Sequence, residues 1–223
     1  MPDESPRDVF ARIYDTAHWE GGSGQGSRAD VTEPYRQVVE RLLGSSDVRT
    51  VVDAGCGDWE FSHLVDWSPV DYLGVDVVPS VIEADRERYG RPGVRFEQVD
   101  FSVEAPPAAD LLLCKDVLQH WPLAAVHGFL GRIEGRYRYA LLTNDLTSVH
   151  CPAEAVNTDI PMGGWRTLDL EAAPFGLEPA WSFDYDIKGE WTKRALLLVS
   201  SRHRRRARLA PGSALRRARS VDG

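Results

Sequence analysis

The chain is predicted to fold as an α/β domain around a doubly wound, mostly parallel sheet, and three observations carry the prediction. First, short apolar, β-branched-rich runs recur at residues 50–53, 72–76, 94–99, 110–114 and 139–143, each separated from the next by a helical or loop segment. Strands that alternate with helices pair in parallel through right-handed crossovers, which places helices on both faces of the sheet. Second, the runs 181–188 and 194–200, joined at Gly189-Glu190, read as an antiparallel closing hairpin. Third, 223 residues with 43% hydrophobic content suit one such domain with additions better than two full domains.

The elements follow in order. Val9, Phe10, Ile13 and Tyr14 recur at helical spacing within residues 5–15, so a short amphipathic helix is expected there. His18-Trp19-Glu20-Gly21-Gly22-Ser23-Gly24-Gln25-Gly26-Ser27 is a glycine-rich loop. Thr32 is placed to cap a second helix whose inner face carries Tyr35, Val38, Val39, Leu42 and Leu43. Leu123–Ile133 is the helical stretch before the fifth strand. Residues 145–176 are rich in Pro, Gly and Asn and longer than a plain connector, as binding loops and lids tend to be. The expected organisation is an N-terminal helical cover over 1–46, a main domain over 47–200 and a basic tail over 201–223.

Composition excludes several classes. No run approaches the roughly 18 apolar residues of a membrane span, and the polar, acidic first eight residues lack the basic start and apolar stretch of a signal peptide. Three widely spaced cysteines (Cys56, Cys114, Cys151) argue for a reducing, cytoplasmic setting rather than a disulfide framework or zinc site. His150 and Cys151 are too isolated to make a metal site, so none is expected. Residues 201–223 hold eight arginines and one acid, a net +7, which leaves −15 for residues 1–200 out of the total of −8. Such an acidic body is a poor surface for nucleic acid, since phosphate neutralisation needs clustered Lys and Arg. The tail alone could bind polyanions; its Ala, Pro, Gly and Ser content reads as disorder.

The strongest local signal is Thr50-Val51-Val52-Asp53-Ala54-Gly55-Cys56-Gly57-Asp58-Trp59, a buried strand running into Asp-x-Gly-x-Gly. Glycines at 55 and 57 allow a tight turn and a close approach to a ligand, at the sheet edge where open parallel sheets bind one. The second strand ends in Asp76, whose carboxylate can accept both hydroxyls of a ribose, and the third in Asp100-Phe101, suited to an adenine amine and ring. Each aspartate alone can be a turn or capping residue; three consecutive strand ends together point to a nucleoside.

This pattern resembles class I S-adenosylmethionine-dependent methyltransferases, over roughly residues 48–145 and, through the hairpin, toward residue 200. The resemblance implies a Rossmann-like, seven-stranded sheet with an antiparallel last strand, and S-adenosylmethionine as cofactor. It places Asp53, Gly55 and Gly57 along the methionine part, Asp76 at the ribose, and Asp100 with Phe101 at the adenine. Trp59, Val77 and Lys115, beside these positions, complete the expected cofactor set. A dehydrogenase would share the fold, but the third glycine of G-x-G-x-x-G is missing, and Asp58 and Trp59 would crowd and repel a pyrophosphate.

The acceptor side is read from features outside this frame. In the resembled family the stretch Cys114-Lys115-Asp116-Val117-Leu118-Gln119-His120 faces the methyl group. His120 is the candidate general base, or else it packs the following helix; Asp145, ending the fifth strand, is a second catalytic candidate. Asp116 either pairs with Lys115 or meets the cofactor or a basic acceptor. Tyr14 and Trp19 flank glycines 21–26, whose backbone amides can form an anion nest with Ser23 and Ser27. In Gly163-Gly164-Trp165-Arg166, Arg166 offers a fork for a carboxylate or phosphate beside the wall of Trp165, or pairs with Asp169. Cys56 and Cys114 suit packing rather than nucleophilic roles. The expected activity is in-line methyl transfer to oxygen or nitrogen of a small polar metabolite, anionic if Arg166 takes part. An RNA methyltransferase using the arginine tail and a noncatalytic nucleoside-binding module are the alternatives.

Overall fold

The computed structural model describes residues 4–19, 21–45 and 47–200; the arginine-rich tail lies outside them. Helix α1 (Pro6–Asp15) starts where Ser5 accepts the Asp8 amide at 3.2 Å and Pro6 opens the first turn, and it buries Val9 and Ile13. Helix α2 (Glu33–Ser45) buries Tyr35, Val39 and Leu43. The Thr32 hydroxyl does not cap it: it turns back to donate to the Arg28 carbonyl at 3.0 Å, closing the preceding turn. Helices α3 (Pro79–Tyr89) and α4 (Leu123–Ile133) complete the helical set among the described residues.

Seven strands form one sheet: β1 (Thr50–Ala54), β2 (Asp71–Asp76), β3 (Val94–Gln98), β4 (Leu111–Lys115), β5 (Tyr139–Ser148), β6 (Trp181–Ile187) and β7 (Trp191–Val199). Their order is β3-β2-β1-β4-β5-β7-β6, with β1 to β5 parallel and β7 antiparallel to both neighbours. The predicted doubly wound sheet and closing hairpin are therefore present. Alternate residues of the strands face opposite ways and build two cores. Val51, Tyr72, Phe96, Leu111 and Leu141 pack with α2 and α3 on one side. On the other, Val52, Val75, Leu112 and Leu142 pack with Val126, Phe129 and Ile133 of α4 and with Leu168 and Leu170. No helix among the described residues is long and apolar enough to cross a membrane.

Three departures from the expected elements bear on the site. Strand β5 runs ten residues, to Ser148, because β7 pairs with it past a bulge between Asp145 and Thr147; Asp145 thus lies within a strand instead of ending it. Strand β7 begins at Trp191, three residues early, which brings Lys193 into the sheet. No α-helix follows the glycine turn: only a three-residue 3₁₀ turn, Ser62–Leu64, separates β1 from β2. The chain therefore lacks the helix N-terminus that would hold a pyrophosphate, a stronger reason than crowding. Trp59 crowds nothing there, since it turns away into the core and is fully buried.

Candidate active site

The order reversal between β1 and β4 opens a crevice beyond the carboxyl ends of the parallel strands, the usual ligand position in such sheets. Two adjoining cavities occupy it. The inner one, about 80 Å³, is lined by Gly55, Gly57, Asp76, Val77, Asp100, Phe101 and Lys115, seven of the nine residues expected to hold the cofactor. Both glycines have positive φ (83° and 56°) and stand where side chains do not fit. A Cβ on Gly55 would lie 2.3 Å from Val117, and one on Gly57 would lie 2.1 Å from Ser23 Oγ.

The strand-end acids differ in state. Asp76 accepts the Gly57 amide at 3.3 Å and the Val78 amide at 3.0 Å, each on a different oxygen, and still borders the cavity; burial raises its pKa. Asp100 caps its own turn through Ser102 and also borders the cavity. Asp53 does neither. Its carboxylate accepts the Tyr72 hydroxyl at 2.7 Å, Tyr72 in turn accepts the Trp59 indole N–H at 2.8 Å, and all three are buried behind the turn. Asp53 and Trp59 support the glycine turn from below and do not line the cavity.

Burial pushes the Asp53 pKa from 3.8 up to about 6. A folded-state value above the unfolded one means a contribution fully present below about 3.8 and lost as the pH rises through about 6. The loss is on the order of 3 kcal/mol. Asp53→Asn keeps an acceptor for Tyr72 and never ionises, so it should gain stability over the native chain at pH 8 but hardly at pH 4. Urea denaturation at the two pH values checks this; equal differences at both would show that the Asp53 charge carries no burial cost.

At about 80 Å³ the inner cavity is far below the roughly 300 Å³ of ligand pockets, because the N-terminal stretch fills it. Tyr14, Trp19 and Ser23 border it, and Ser23 is tied in by the Tyr14 hydroxyl at 2.8 Å and by the Asp58 carboxylate and amide at 2.8 and 2.9 Å. The nest expected in the glycine loop receives this internal carboxylate: the Ser23 amide donates to Asp58 at 3.1 Å, and a Cβ on Gly22 would collide with it at 2.2 Å. Tyr14, expected on the acceptor side, therefore borders the inner cavity instead.

The outer cavity, about 450 Å³, is bordered by Trp19, Asp116, His120, Asp145 and Trp165, five of the expected catalytic and acceptor residues, and by Gln119, Trp191 and Lys193, which the sequence reading did not single out. Asp116, Trp19 and His120 also border the inner cavity and so stand between the two. Lys193 donates to Asp116 at 2.8 Å and Asp145 at 2.6 Å, and Lys115 to Asp116 at 2.5 Å and the Gly26 carbonyl at 2.7 Å. The two ammoniums hold the Asp116 pKa at about 2 against burial. For Lys193 burial opposes the charge, but the two carboxylates outweigh it and raise its pKa; for Lys115 burial prevails and lowers it. Asp145 is further held by Gln119 and by the Trp165 indole N–H, both at 2.9 Å. With both oxygens engaged it acts as a structural hub and is poorly placed to take a proton.

His120 is arranged differently. Its Nδ1 lies 2.8 Å from the Gly164 carbonyl, which can only accept, so the proton of the neutral ring sits on Nδ1 and Nε2 carries the lone pair. Burial lowers its pKa below 6.5, keeping the ring neutral at physiological pH. Residues 163–164 are pinned in turn: the Gly163 amide donates to the His120 carbonyl at 2.8 Å, and a Cβ on Gly163 would meet Val9 of α1 at 2.5 Å. Trp19 packs over the imidazole at 4.8 Å.

Arg166 borders neither cavity. It is 1% exposed, donates to the Gln119 carbonyl at 3.1 Å beneath the 118–121 turn, and does not pair with Asp169, which lies beside Arg194. Burial of the apolar Leu168 and Leu170 beside it draws the whole segment inward. Cys56 and Cys114 are buried, with thiols pushed well above their usual range, as packing residues require.

Residues 52–135 match the family model described as a methyltransferase domain. The chain is 24% identical over 126 residues to a ubiquinone biosynthesis O-methyltransferase of Bordetella avium (strain 197N). That match covers 54% of this chain and 52% of the other, so the chain spans about half the length of that relative. Among solved structures, magnesium protoporphyrin IX methyltransferase from Synechocystis PCC 6803 with bound SAH superposes with a TM-score of 0.62 at 14% identity, over 88% of this chain and 100% of that one. The same enzyme with bound SAM gives 0.60 at 15% identity, over 90% and 100%.

Proposed function

We propose that the chain is a class I S-adenosylmethionine-dependent methyltransferase that transfers a methyl group from that cofactor to an oxygen of a small molecule, a reading supported by the match to a methyltransferase-domain family model and by the likeness of fold. One observation carries this reading: a neutral imidazole, locked through Nδ1 to Gly164, stands between the cofactor crevice and a second cavity of about 450 Å³.

The inner site fits the cofactor. Asp76, Asp100 and Phe101 border it with the acceptors and ring that a ribose and an adenine need, beside the tight turn of Gly55 and Gly57. Absence of a pyrophosphate-binding helix start favours a ligand without phosphate. When bound, S-adenosylmethionine supplies an electrophilic methyl group on a sulfonium. The chain's own work is to hold the acceptor in line and to exclude water. A hydroxyl is a weak nucleophile, and His120 Nε2 takes its proton as the new bond to carbon forms. Because Nδ1–H is already held by Gly164, the imidazolium so formed keeps its orientation.

Calorimetry with S-adenosylmethionine and with NAD tests the cofactor assignment. Micromolar binding of the former and none of the latter is expected; the reverse would overturn it. Asp76→Ala should weaken S-adenosylmethionine at least tenfold, about 1.4 kcal/mol, the scale of one charge-assisted contact. An unchanged dissociation constant would remove Asp76 from the ribose site.

A further inference from the structure

The walls of the outer cavity carry more information than its size. Three tryptophans reach it from separate parts of the chain: Trp19 from the glycine loop, Trp165 from the segment after β5, and Trp191 from the start of β7. Each is half-buried and borders the cavity. Trp191 also packs against the core on the α2 side, whereas Trp19 and Trp165 belong to neither core, and uncovered indole surface is costly unless something covers it. Their rings are also held in place. Trp165 is anchored by its N–H on Asp145 at 2.9 Å, Trp19 packs on His120 at 4.8 Å, and Trp191 packs on His150 at 5.0 Å. Fixed indole faces recognise a flat π-system.

Charge narrows the class. The carboxylates and ammonium that border the cavity are Asp116, Asp145 and Lys193, and Lys115, which borders the inner cavity, pairs with Asp116 from that side, so the bonded cluster holds two charges of each sign and leaves no net charge for a charged acceptor. His150, at the rim, is engaged with Glu190. Arg166, expected to offer a fork for an anion, lies elsewhere.

From these walls and this balance of charge we propose that the acceptor is a neutral molecule built on a planar aromatic ring, held against Trp19, Trp165 and Trp191 with a ring hydroxyl directed at His120. This deepens the methyl-transfer reading and rests on it for the direction of the hydroxyl. Indole faces also attract cations, but the two aspartates that would complete a cation site are already neutralised by lysines.

The test is calorimetric binding to the full chain, independent of turnover, with 2-naphthol, its saturated counterpart decahydro-2-naphthol, and choline. The expected order is 2-naphthol at least tenfold tighter than decahydro-2-naphthol, with choline weakest. Trp191→Leu should weaken 2-naphthol at least fivefold, Trp191→Phe by less than threefold, and both should bind S-adenosylmethionine as the native chain does, which shows that they are folded. Equal affinity for the saturated alcohol, tighter binding of choline, indifference to Trp191→Leu, or no naphthol binding by a chain that binds S-adenosylmethionine would each overturn the proposal. Failure to bind S-adenosylmethionine would instead overturn the methyl-transfer reading itself.

Discussion

His120→Asn should lower kcat by about 10²- to 10⁴-fold, the usual contribution of a positioned base, with little change in the dissociation constant for S-adenosylmethionine. Asparagine is chosen because its amide N–H can still donate to the Gly164 carbonyl, as Nδ1 does at 2.8 Å, so the 118–121 turn stays tied to the 163–164 segment. What is lost is the basic Nε2. The pH profile gives an independent readout. The base acts only when neutral, and burial lowers the His120 pKa below 6.5. The native rate should therefore hold as pH falls below 6.5 and then drop through that lowered pKa, while the variant lacks this acid limb. A variant that retains more than a tenth of the native rate would show that the site works by alignment alone, without a base.

Lys193→Met should be the most destabilising single change in the site. It removes a buried ammonium that neutralises Asp116 and Asp145, at 2.8 and 2.6 Å, and leaves two nearly inaccessible carboxylates short of a partner. Breaking a buried pair from one side costs about 3–5 kcal/mol, so the melting temperature should fall on the order of 10 °C for a chain of this size. Methionine fills a similar volume, which confines the effect to charge. Adding Asp145→Asn should recover part of the loss, because asparagine can keep the contacts with Gln119 and Trp165 without a charge. A double-mutant cycle measures this coupling. A melting temperature within 2 °C of native would show that water or rearrangement compensates the carboxylates, and that the cluster does not hold β4, β5 and β7 together.

Seven of the nine expected cofactor residues meet at one cavity because they share a local cause. Each sits at or just past the carboxyl end of a parallel strand, and alternation of strand and helix alone brings such ends together. Asp53 and Trp59 satisfy the same pattern, yet they face the other way. Whether a strand-end side chain points to the ligand or to the core depends on which neighbour satisfies it, and here Tyr72, 19 residues on, claims the carboxylate. The acceptor side was less legible. Lys193 and Arg194 are adjacent cations at the start of an apolar strand, but the expected start at residue 194 left Lys193 outside. Arg166 beside Trp165 looked like an anion fork, and the packing of Leu168 and Leu170 turned it inward.

The amino-acid sequence by itself determined the doubly wound sheet, the glycine turn, the acids around a nucleoside crevice and the antiparallel hairpin. These follow from periodicity and strand-end chemistry, which act over a few residues. Only the tertiary structure decided that the N-terminal stretch fills that crevice, that Lys193 locks Asp116 and Asp145, that Gly164 fixes the tautomer of His120, and that three tryptophans from distant segments share one cavity. Each of these is a contact between side chains far apart in the chain. The energy that selects such a contact comes from burial and charge pairing in the assembled core, so no local pattern records it.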